Sequence, residues 1–128
     1  MADSPDLALQ TVINLAITAA LPAVTVGAYP TPDGAFPFVN FGESTVTDDV
    51  DPVKTIEAMA HCWSRAEGPH EVKTMQQTIR EALHAQSFLK NGWALSCVRE
   101  AQANVILDAD GVTWHGWQRF RAFASPSS

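Results

Sequence analysis

Six side chains in this sequence of 128 residues could ligate a metal or act as nucleophile or base through sulfur or imidazole nitrogen: His61, Cys62, His70, His84, Cys97 and His115. Their spacing argues against both uses. No pair has the CxxC, HxxxH or HExxH interval that puts two ligands on one turn or one helix face. His61 and Cys62 invite reading as a thiol with its base. Adjacent residues on a strand point to opposite faces, however, so their side chains cannot share a hydrogen bond. Asp108 and Asp110 resemble the start of a calcium loop, but no acid follows at the twelfth position. Nucleotide-binding glycine patterns and a GxSxG elbow are absent. The expectation is no catalytic residue, no cofactor site and no metal site. Two other readings stay on the table. His61 and His115 with nearby acids could form a small enzyme's site, given a cleft that brings them within hydrogen-bond reach. Trp93 and Trp114 could line the pocket of a ligand-binding domain.

The elements that would position these residues are legible from periodicity. Ile56, Ala58, Ala60 and Cys62 alternate with Glu57, Met59, His61 and Trp63, the period of a strand with two unlike faces. Gly68-Pro69 then breaks the chain, and Val72, Met75, Ile79, Ala82 and Leu83 recur at helical spacing over 69–85. An earlier helix over 5–20 starts at Ser4-Pro5-Asp6 and ends before Pro22. Strands are expected at 25–29, at 38–46 (with Val39, Phe41 and Glu43 on one face), at 55–64, at 93–107 with a bulge near 99–102, and at 112–124. Turns fall at 30–34, at Asn91-Gly92 and at Asp110-Gly111. Residues 47–52 hold three aspartates beside Pro52 and read as the exposed tip of a long acidic hairpin. Residues 125–128 read as a disordered tail of a single domain spanning 1–128. The fold class is α+β: a two-layer sandwich, mainly antiparallel sheet, with two helices on one face.

Charge narrows the functional classes further. Of the formal −6, residues 1–60 contribute −7 from eight acids and Lys54, while the remainder carries +1. There is no basic stripe for phosphate neutralisation, so tight nucleic-acid binding is not expected. No apolar run reaches membrane-spanning length. The acidic start lacks the pattern of a secretory leader, so a cytoplasmic origin with free thiols at Cys62 and Cys97 is expected. Trp114, Trp117, Phe120 and Phe123 do not share one face of a straight strand, which favours core and interface roles over base stacking.

Several stretches together resemble the tail-completion, or tail-terminator, proteins of long-tailed bacteriophages and gene transfer agents. They are LALQTVINLAI, FPFVNFGESTV, HCWSRAEGPHEVKTMQQTIREAL and DADGVTWHGWQRFRA, in that order. The most specific pieces are Trp63-Ser64 before a glycine-led helix, and Asp110-Gly111 followed by Trp114-His115-Gly116 and Arg119-Phe120-Arg121. His61-Cys62 departs from the apolar or aromatic pair usual in similar proteins. The resemblance implies a non-enzymatic virion protein of the tail neck, assembled in the host cytoplasm. It implies a homo-oligomeric ring, six-fold, that caps the tail tube and halts its polymerisation. Its partners would be the tail tube protein and a head-side stopper or connector protein, with DNA passing through the lumen unbound. Another neck component of the head-completion type is the nearest alternative. On this reading Glu43, Asp48, Asp49 and Asp51 are candidates for the lumen or the ring joint, and Trp63, Trp114 and Trp117 for the subunit interface.

Overall fold

A computed structural model describes residues 4–27, 36–48 and 53–127. The two apolar stripes form helices, α1 (Pro5–Ala20) and α2 (His70–Leu83). Pro5 occupies the first turn of α1, and Asp6 beside it accepts a hydrogen bond from the Ser44 hydroxyl at 3.0 Å, tying the helix to the sheet. Pro69 precedes α2 as its cap, one place earlier than the sequence suggests.

Six strands follow the chain as β1 (Thr25–Gly27), β2 (Phe38–Asp48), β3 (Lys54–Ser64), β4 (Gln86–Lys90), β5 (Trp93–Leu107) and β6 (Trp114–Pro126). They form one sheet in the order β1-β2-β3-β6-β5-β4. All neighbours are antiparallel except β1 and β2, which pair in parallel. The mainly antiparallel α+β reading therefore holds. The sandwich is less simple than expected, because the sheet rolls toward a small barrel with extra strands. Register shifts between Phe41 and Ser44, Ser96 and Arg99, and Glu100 and Gln102 supply local bends, as β-bulges do.

Alternation decides which face is covered. Ile56, Ala58, Ala60 and Cys62 of β3 and Phe120, Ala122 and Ala124 of β6 are buried in one cluster. Leu9, Ile13 and Ile17 of α1 and Val72, Met75, Ile79 and Leu83 of α2 complete it. Both helices thus sit on the same face. The opposite face carries Met59, His61 and Trp63 from β3 and His115, Trp117, Arg119 and Arg121 from β6; we call it the bare face.

Three features depart from the sequence reading. Residues 86–90 form a strand that the sequence did not signal; Ala85, at φ 63, turns the chain off α2 without a glycine. β6 runs on through Ser125 and Pro126, paired with Ala94 and Trp93, so these residues are ordered rather than a tail. Gln76 and Gln118 lie in the interior. Gln76 Nε2 donates to the carbonyls of Asn104 and Trp117 at 3.0 and 3.3 Å, and Gln118 Nε2 donates to the carbonyl of Gln76 at 2.9 Å and to Glu100 Oε2 at 2.7 Å. Gly116 makes room for this layer: a Cβ there would lie 2.6 Å from Gln76 Nε2 and 3.0 Å from Val72 Cγ2. The expected turn at 30–34 and the hairpin tip with Asp49 and Asp51 lie outside the described residues.

Candidate assembly surface

The bare face is built from cross-strand neighbours. The register sets Phe38 beside Trp63 and Trp63 beside His115, across β2, β3 and β6. Their rings stack in that order, with centroids 5.9 Å and 3.9 Å apart and the Trp63–His115 planes only 4° from parallel. The Trp63 indole N–H donates to Asn40 Oδ1 at 2.6 Å, so its polar edge is satisfied. At the edge of this stack Phe36 packs on Phe38 at 5.0 Å, and the Arg65 guanidinium lies 4.2 Å over the Phe36 ring. Further along the face Arg121 reaches Glu57 at 3.6 Å and Arg119 donates to Gln102 Oε1 at 3.2 Å. Phe123 extends the apolar part and is exposed.

The structure brings His61, His115 and Glu43 together. His61 Nδ1 and His115 Nε2 are 2.8 Å apart, and His61 Nε2 is bonded to Glu43 Oε1. Straight alternation would put Glu43 with Val39 and Phe41 on the helix side, as the sequence reading has it. The bulge after Phe41 sets Gly42 and Glu43 against the single residue Met59, which re-aims Glu43 toward the bare face. Burial first, and then the neighbouring His61, hold the His115 imidazole below the ordinary histidine range, against the opposing pull of Asp108 and Glu43.

Among the described residues no hydroxyl or thiol is bonded to either imidazole. Cys62 points to the opposite face, is fully buried, and burial pushes its thiol up to about 12. The groove beside Glu43, lined also by Thr45, Glu57, Met59 and Arg119, has a volume of about 610 Å³ and is open to solvent. The narrow cavity between α1 and β2 holds about 10 Å³, the threshold for a single water. Trp93 and Trp114 do not share a pocket. They sit at opposite ends of the β5–β6 ladder, opposite Pro126 and Leu107 respectively. No three histidine, cysteine or acidic side chains converge as metal ligands among the described residues.

The remaining sequence candidates divide. Trp63 and Trp117 share the bare face, while Trp114 packs against the helix-side core. Asp48 closes β2, its backbone opposite Lys54. Exposed Ile106, Leu107 and Val112 flank the β5–β6 turn, a patch with no chemical motif to mark it in the sequence. That turn is locked by Asp110, whose carboxylate accepts bonds from the Val112 and Thr113 N–H groups and the Thr113 hydroxyl at 2.9, 2.8 and 2.6 Å. Those bonds hold its carboxyl at about 2. No described helix is long and apolar enough to cross a membrane.

A family model described as "Tail completion protein gp17" matches residues 12–125. A chain in a solved structure described as "Virion of native gene transfer agent (GTA) particle" superposes with a TM-score of 0.80 at 17% identity, covering 95% of this chain and 98% of that one. No curated protein sequence matches.

Proposed function

This chain belongs to the tail completion protein gp17 family, and we propose from that premise that it is a structural part of the tail neck in a phage or gene transfer agent virion. In this reading the chain acts as one tail-terminator-like domain, made in the host cytoplasm and incorporated into the particle. Copies close into a ring, six-fold, on the end of the tail tube. The ring stops tube polymerisation and presents its other side to a head-side connector or stopper protein. DNA crosses its lumen without a dedicated binding site.

The observation that carries the proposal is the family match over nearly the whole chain. The surface fits it. A ring of identical copies needs heterologous contacts, in which one patch meets a different patch on the neighbour. The bare face offers Trp63 and Trp117 as anchors of the kind that dominate interfaces. Long stretches of β2 and β5 lie beyond their short outer partners β1 and β4, and open edges of this sort invite pairing. Glu43 and Asp48, with Asp49 and Asp51 next to them in the sequence, would repeat around the ring and line its lumen or the joint. Phosphates would be repelled there over about 8 Å, the Debye length at physiological salt.

The test is electron microscopy of tails assembled with and without the protein. With it, tails should have one length and join heads. Without it, tubes should overgrow and heads should stay unattached. Uniform tails that merely fail to retain DNA in the head would move the protein to the head-completion side of the neck. Normal, infectious or gene-delivering particles in its absence would end the proposal.

A further inference from the structure

The bare face holds a chain of side chains from Glu43 through His61 to His115, whose two imidazoles the assembly role leaves without a task. Its donor directions follow from valence. A carboxylate accepts only, so His61 Nε2 carries the hydrogen toward Glu43. A neutral His61 then has a bare Nδ1, and His115 Nε2–H must donate across the 2.8 Å gap. One added proton fits: His61 becomes an imidazolium held by Glu43, its Nδ1–H donates, and His115 accepts after exchanging tautomer. A second proton does not fit. Two N–H groups would then face each other at hydrogen-bond distance between two positive rings, so the two titrations are coupled.

We propose that the Glu43–His61–His115 chain is a proton-controlled latch. It ties β2, β3 and β6 together across the bare face while the imidazole pair carries at most one proton, and it opens when both rings are charged. The geometry makes the event consequential. The His115 ring lies flat on Trp63 at 3.9 Å, and Trp63 is in turn bonded to Asn40 of β2. Releasing His115 therefore loosens an aromatic stack that crosses three strands. The charged groups that act on His115 besides His61 are Glu43 from β2 and Asp108 from the β5–β6 turn. The two acids favour protonation of His115; burial and the charge of His61 outweigh them.

The experiment is an NMR titration of the histidine Cε1–H and Trp63 indole N–H resonances between pH 8 and pH 4.5, on the wild type and on His61→Gln, His115→Gln and Glu43→Gln. In the wild type, His115 should titrate below the unfolded value of about 6.5. The Trp63 resonance should move in the same step. In His61→Gln the His115 midpoint should rise, and in His115→Gln the Trp63 resonance should stay still. Denaturant unfolding supplies a second readout. Between pH 7.5 and pH 5 the wild-type unfolding constant should increase more than that of His115→Gln, because the unfolded chain takes up the His115 proton before the folded one does. A His115 titration at the unfolded value, unchanged in His61→Gln, would overturn the latch. So would a Trp63 resonance indifferent to pH, or equal pH dependence of stability in wild type and His115→Gln. The wild-type titration decides the matter even if a variant fails to fold.

Discussion

Three side chains have environments that dictate how they respond to reagents and pH. Burial takes the Cys62 thiol from 9.0 to about 12, which leaves on the order of 1,000-fold less thiolate at neutral pH. In a Cys97→Ser background, alkylation of Cys62 at pH 8 should therefore be slow in the native protein and fast in denaturant; equal rates would place the thiol in solvent. Asp110 behaves in the opposite sense. Its folded carboxyl, at about 2, is depressed, so its contribution to stability is present above the unfolded value of about 4 and is lost as pH falls toward 2. Asp110→Ala should lower the denaturant midpoint at pH 7, and the difference from wild type should shrink across that acid window. An unchanged gap would mean that the turn does not depend on the carboxylate. His115 is a depressed base. Its folded form binds fewer protons than its unfolded form, so stability is complete above about 6.5 and declines as pH falls below it. The constellation at these residues was half legible. His61, His115 and nearby acids were visible as types, but their meeting depends on a bulge at Gly42-Glu43, and alternation alone assigns Glu43 to the wrong face.

At the scale of elements, the strongest periodicities translated directly into structure. The stripe Val72, Met75, Ile79 and Leu83 is buried in the core, and Ile79→Asp should destabilise by about 2–5 kcal/mol for the lost side chain, with the cost of a buried charge added. A change under 1 kcal/mol in a urea titration would contradict that packing. What periodicity cannot reveal is a polar residue used inside. Gln76 falls at a helix position that hydropathy assigns to solvent, yet its amide bonds two strand carbonyls. Gly116 looks dispensable in sequence but is the position over which that amide lies. Gly116→Val should cost about 1–3 kcal/mol through overpacking, more if Gln76 loses its bonds, and a variant as stable as wild type would mean the helix can lift without penalty. β4 escaped notice because neither its burial pattern nor its start is distinctive. Leu89 is 76% exposed, and Ala85 turns the chain where a glycine would have been the recognisable signal.

For the whole molecule, the family and the mainly antiparallel α+β class were reachable from the ordered ensemble of stretches, whereas separating Trp63 and Trp117 on the bare face from core-facing Trp114 needed three dimensions. The acidic hairpin gives a prediction at this scale. Asp48→Lys, Asp49→Lys and Asp51→Lys together should leave the fold intact and reduce tail joining or DNA delivery; particles that deliver DNA at the normal rate would make the hairpin a solvated loop and nothing more. A closed ring on the tube end is tested most directly by native mass spectrometry of the purified protein mixed with tail-tube assemblies that have a free end. The isolated chain can be monomeric at 13.8 kDa, since a ring that forms only on its template needs that template. Bound to the tube, it should add mass in one step of six chains, with no intermediate occupancy at saturation. Saturation at two chains, as a two-fold dimer, or continuous addition without a ceiling, would contradict the ring.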